Sequence, residues 1–144
     1  KQVGQMLRDM CRRTRDLTPA MKLIGETIWT SVMRNFEAGG RPKWAPHSEV
    51  TKARTRPHGV LVLDNHLMNS INYTAGPRSV EIGTNRVYAA VQQFGQKKGA
   101  SGRTRRGGPI PWGDIPARPY MTVQGKDWKN IYADLTEYVM GDAG

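Results

Sequence analysis

Three histidines, His47, His58 and His66, fall within twenty residues, and they are the first place to look for chemistry in this sequence. Imidazole is a common metal ligand, but none of their spacings gives a helical i, i+4 pair. The only cysteine, Cys11, is remote from all three, so no Cys/His zinc pattern forms. Asp64, His66 and Ser70 contain the letters of a nucleophilic triad, yet they are bunched in one turn region, and a triad is defined by geometry. The glycine-rich run GASGRTRRGG lacks the GxxxxGK[ST] frame that cradles phosphate. Asp127, Asp134 and Glu137 lie on a terminal helical pattern whose polar face carries charge in any case. The expectation is therefore no enzyme, no metal and no cofactor.

Charge is more informative. The 144 residues carry a net charge of +10, which points to a polyanionic neighbour, either nucleic acid or an acidic protein surface. Lys97, Lys98, Arg103, Arg105 and Arg106 fall in one run without an acid, and this run supplies half of the excess. Arg41, Lys43, Lys52, Arg54 and Arg56 form a second group, offset by Glu49. The C-terminal stretch is mildly acidic. Aromatic residues are missing from the basic run itself, which speaks against base stacking there and leaves a non-specific phosphate contact open. No apolar run reaches the length of a membrane span, and no signal peptide is recognisable. One cysteine forms no internal disulfide.

The elements that would position these groups follow from periodicity. Val3, Met6, Leu7 and Met10 predict a short amphipathic helix over residues 1–16, packing on its own domain or on a neighbour. Thr18-Pro19 starts a longer one over 19–37, with Ile24, Ile28, Val32 and Phe36 on one face and Gly39-Gly40 at its end. A short helix runs to Arg54 from Ser48, His47 or Pro46. Val60–Leu63 reads as a buried strand. A helical turn then leads into a strand near Ile71–Ala75, and Gly76-Pro77 joins it to SVEIG as an antiparallel hairpin. Residues 86–94 predict a short helix closed by Gly95, and 124–140 a last helix with Trp128, Ile131, Tyr132, Leu135 and Val139 on one face. Residues 96–109 are too polar to bury anything and are expected to form a mobile basic loop. The sum is a single α+β domain over 1–144: a small antiparallel sheet packed by a long helix from the N-terminal half and by the C-terminal helix. Trp29 and Trp128 are expected in the core. For Trp44 and Trp112, in proline-bordered loops, core plug and interface anchor both stand.

Four stretches carry a resemblance. FEAGGRPKWAPHSEVT resembles the F…G..P..W.PLS..T element of the virion morphogenesis (tail-completion or neck) proteins of Mu- and P2-like tailed bacteriophages. LVLDNHLMNSI resembles their L..(D/T)G.L..SI, VEIGTNRVYAAVQQFG their V.IG(S/T)…YA..HQFG, and IPARPYM their IPARPFL. The four come in the family's order. The matched positions include Trp44, Asn65, Leu67, Gly83, Tyr88, Gln92, Phe94 and Gly95, together with a strap of Ile115, Pro116, Arg118, Pro119 and Tyr120 that follows Trp112. Gly83 and Gly95 suit sharp turns or a helix end. The two prolines hold Arg118 extended, and its fork of donors serves either its own domain or a subunit interface. Asn65 replaces a glycine, and asparagine tolerates left-handed backbone. Gln92 replaces a histidine, which implies a hydrogen-bonding role.

The resemblance implies a structural protein of the virion's head–tail junction, assembled in the host cytoplasm as a homo-oligomeric ring, hexamer or dodecamer, that joins neighbouring neck, connector or tail proteins. The basic run would face genomic DNA in the channel or dock on an acidic ring, with no membrane involved. A non-specific nucleic-acid-binding protein and a morphogenesis factor absent from the finished particle are the rival expectations.

Overall fold

A computed structural model describes residues 2–54, 59–61 and 65–141. Its elements in chain order are α1 (Gln2–Arg15), α2 (Thr18–Glu37), α3 (Glu49–Arg54), a 3-10 turn (Met68–Ser70), β1 (Asn72–Ala75), β2 (Val80–Gly83), α4 (Ala89–Phe94) and α5 (Gly125–Met140). This is the α+β class, with β1 and β2 as an antiparallel pair in the register Tyr73↔Ile82 and Thr74↔Glu81. The helices of the sequence reading stand within a residue or two, except α4, which starts three residues late. Of the expected Val60–Leu63 strand, Val60 and Leu61 lie in a turn, Leu61 at φ 64°, and the rest lies outside the described residues. His58 and Asp64 also lie outside them.

The chain's contacts gather into two compact units, each made of separate pieces of chain. The first comprises residues 1–31, 71–83 and 123–144, so it holds α1, most of α2, the hairpin and α5. Tyr73, on the inward side of β1, lies flat against Gly25, where a Cβ would come within 2.3 Å of the ring. The Trp29 indole donates to the Ile71 carbonyl at 3.0 Å. Ser31 donates to the buried carboxylate of Asp127, which also accepts from the Gln124 amide in a capping box at the start of α5. α1 and α5 pack on each other, and Arg13 and Tyr138 tie their ends to the backbone oxygens of Val139 and Asp16.

Three aromatic expectations need correction here. Trp29, Trp128 and Tyr132 are 36%, 47% and 67% exposed, and only Ile131 of the expected α5 face is buried. The covered part of α5 is one narrow row, Ile131 with half-buried Leu135 and Val139, rather than the wide face that the spacing suggested. Val3, Met6 and Leu7 of α1 are likewise exposed.

The second unit comprises residues 32–70 and 84–122 and holds all four stretches of the resemblance in whole or large part. Its core is Val32, Phe36, Trp44, Leu67, Ala89 and Tyr120. Phe36 takes the Trp44 ring edge-on at 5.6 Å and the tilted Tyr120 ring at 5.4 Å.

Candidate functional site: a buried arginine strap and a basic arm

Asn35, fully buried at the end of α2, begins the site. Its amide donates to the carbonyls of Tyr120 (2.7 Å) and Thr122 (2.9 Å), and its oxygen accepts from Arg41 Nε at 2.8 Å. Gln93 on α4 accepts from both the Tyr120 and Met121 amides at 3.0 Å. The Trp44 indole donates to Pro119 O at 3.1 Å, and the Tyr120 hydroxyl to Ala89 O at 3.3 Å. Two prolines leave the strap with few donors of its own, so its backbone is held by side chains from elsewhere. Burial, and after it Tyr88, pushes the Tyr120 phenol above its ordinary pKa.

Arg118 is 7% exposed and binds within its own chain. Nε donates to Ala45 O and Nη2 to Pro46 O, both at 3.1 Å, while Nη1 reaches Gln92 Oε1 at 3.4 Å. Of the two roles open for Arg118, intrachain bonding to carbonyls is the one seen. Burial lowers its pKa from the ordinary guanidinium value. The Gln92 backbone carbonyl also accepts the Arg118 amide at 2.8 Å, so its side chain takes part only through Oε1. Asn65 does sit in the left-handed region, at φ 54°. Gly95 ends α4 at φ 73°, its backbone against Ile115 and Ala117. Gly83 is different: it ends β2 without positive φ, and a Cβ there would meet nothing within 4 Å. Its place needs no glycine, contrary to expectation. Phe94 is 77% exposed and Tyr88 41%, whereas Leu67 is buried.

Residues 96–109 are not a bare loop. Gln96 and Ile115 exchange backbone hydrogen bonds at 2.8 and 2.7 Å, and the Gly99, Ser101 and Thr104 amides donate to Pro111, Ile110 and Gly108 carbonyls. Backbone pairing needs no apolar side chain, which is why composition did not reveal it. The result is a narrow arm. Trp112, 76% exposed, lays its indole along Gly108, so an aromatic group does stand beside the basic run. Of the two tryptophans left open, Trp44 is the core plug and Trp112 is not.

The five basic residues separate in role. Lys97 pairs with Asp114 at 2.9 Å, and Asp114 also accepts the Lys98 amide at 2.8 Å. Lys98, Arg103, Arg105 and Arg106 have exposed side chains that meet no carboxylate among the described residues. Asp114, missed in the sequence, is thus the staple at the base of the arm. The Lys98 amide and then the Lys97 ammonium hold its carboxyl below the ordinary pKa. A depressed carboxyl stabilises above its unfolded pKa, about 3.9, and loses that contribution as pH falls through the lower folded value. The Lys98 amide resonance is therefore expected to titrate with a midpoint below about 3.9. A midpoint at or above that value would dismiss the staple, and Asp114→Asn should abolish the transition.

Among the described residues no group of three His, Cys, Asp or Glu side chains is placed to hold a metal ion, and no helix is long and apolar enough to cross a membrane.

The four stretches of the resemblance converge in the second unit: Arg118 of the last binds carbonyls of the first and Gln92 of the third, and Asn65 of the second lines the same cavity as Arg118. The chain belongs to the phage virion morphogenesis family, whose model matches residues 1–140. It is 33% identical over 138 residues to the Mu-like prophage FluMu G protein 2 of Haemophilus influenzae, an alignment covering 96% of this chain and 89% of that protein. No solved structure matches it.

Proposed function

We propose that this phage morphogenesis protein is a non-catalytic structural component of the head–tail junction, forming a closed ring of identical subunits there. The observation that carries the reading is the arm: four exposed cations without carboxylate partners among the described residues, on a hydrogen-bonded frame stapled by Asp114. Such an arm suits a polyanionic surface, either DNA phosphate met without sequence preference or an acidic neighbouring ring. Identical subunits joined head to tail close into a ring when the rotation allows it.

Replacing Lys98, Arg103, Arg105 and Arg106 together with glutamine tests this, with Lys97 kept so that the staple survives. Stability should move by less than about 0.5 kcal/mol, because surface substitutions of this kind are nearly neutral. The yield of infectious joined particles should fall at least tenfold, roughly the cost of losing about 1.4 kcal/mol of docking free energy. Normal yields would sink the role of the arm. Counting copies per purified virion by mass spectrometry tests the ring, with about six or a small multiple expected. Absence from the virion would favour an assembly factor instead.

A further inference from the structure

Arg118 presents an unbalanced account within the second unit. A guanidinium has five N–H donors, and three of them are used, all on neutral oxygens. No carboxylate among the described residues pairs with this 7% exposed cation. Nearby, Asn65 Oδ1 is shielded from solvent and accepts no hydrogen bond among the described residues. Both residues line one cavity of about 640 Å³, whose other walls include Leu61, Leu67, Tyr88 and Ile115. Asp114 also reaches the wall, but both its oxygens are already engaged by Lys97 and Lys98. A buried cation without a counter-ion and a buried acceptor without a donor are each costly, and native proteins rarely leave them so.

The occupant is constrained by these groups. It must bring an anion for Arg118 and apolar bulk for the walls. A nucleic-acid backbone would meet the exposed cations of the arm and has nothing to place among leucines. The chain's net charge of +10 favours an acidic protein over another copy at this site. We propose that the cavity receives an extended segment of an acidic partner protein: one carboxylate on the two spare N–H groups of Arg118, and an aliphatic or aromatic side chain against Leu61, Leu67 and Ile115. Charge-assisted bonds and apolar burial then act in one site, which gives specificity as well as affinity. This site stands apart from the head–tail reading, since it needs only the cavity and not a ring.

The test is an NMR titration of the labelled full chain with a pool of acetylated, amidated hexapeptides that carry a central glutamate flanked by leucine, isoleucine, phenylalanine or tyrosine. Saturable shifts of the Asn65 side-chain amide and the Arg118 Nε–H are expected, at least about tenfold weaker when the pool carries glutamine in place of glutamate. Asn65→Asp tolerates the same left-handed backbone and places a carboxylate in the cavity, so it should weaken binding by a similar factor while the chain stays folded. Equal response to the two pools, no shift at either group, or undiminished binding by Asn65→Asp would overturn the proposal. Acetate producing the same shifts at equal carboxylate concentration would make this a small-molecule site instead. Shifts that grow with protein concentration alone would make the occupant a second copy. Either result also overturns it.

Discussion

Truncating Trp44 to alanine is expected to destabilise the protein by about 4 kcal/mol, read from urea denaturation followed by circular dichroism. The indole is 8% exposed and sits edge-on to Phe36, which in turn holds Tyr120 of the strap. Gly40 makes room for it, since a Cβ there would come within 2.6 Å of the indole. Removing a buried tryptophan costs about 3–5 kcal/mol through lost burial and an unfilled cavity, and the bond to Pro119 O adds about 1 kcal/mol of its own. The packing loss therefore outweighs the polar one. Trp44→Phe should cost less than half as much, because it keeps most of the volume and loses mainly the N–H. A change under about 1 kcal/mol for Trp44→Ala would mean that the strap does not depend on this plug.

Gly95→Ala is the second large effect, about 3 kcal/mol or more, measured in the same way. Two causes act in the same direction. At φ 73° and ψ 174° the backbone is in a region essentially reserved for glycine, a strain of about 1–3 kcal/mol for any other residue. The added Cβ would also lie 2.7 Å from Ala117 N and Ile115 O. Both are backbone atoms, fixed by the Gln96–Ile115 pair, so no rotamer change relieves the clash. Gly83→Ala is the control: with neither strain nor a neighbour in the way, it should stay within about 0.5 kcal/mol of the parent. If the two glycines responded alike, the geometry at Gly95 would not be the cause.

The α+β class and most element ends were legible because periodicity and start and stop signals are local: Thr18-Pro19 opens α2, Gly39-Gly40 closes it, and Gly76-Pro77 turns the hairpin. Asn65 and Gly95 were legible for the same reason, since a left-handed backbone narrows the choice of residue. Some signals were present but unread. Ser31 and Asn35 lie seven residues after Ile24 and Ile28, on the apolar face of α2, where a polar side chain implies a buried partner. Those partners, Asp127 and the strap carbonyls, are 96 and 85 residues away in sequence, and nothing local names them.

What the sequence by itself determined was the helix-and-hairpin inventory, the concentration of positive charge between Lys97 and Arg106, and the family, through four stretches in order. Each depends on residue type and short spacing. Only the tertiary structure decided that Arg118 is buried on neutral carbonyls, that Asp114 staples the arm, and that Trp128 and Tyr132 face outward. Burial and pairing are properties of surfaces brought together from distant parts of the chain. Apolar spacing marks a face that can be covered, but whether it is covered depends on how much core the rest of the chain supplies.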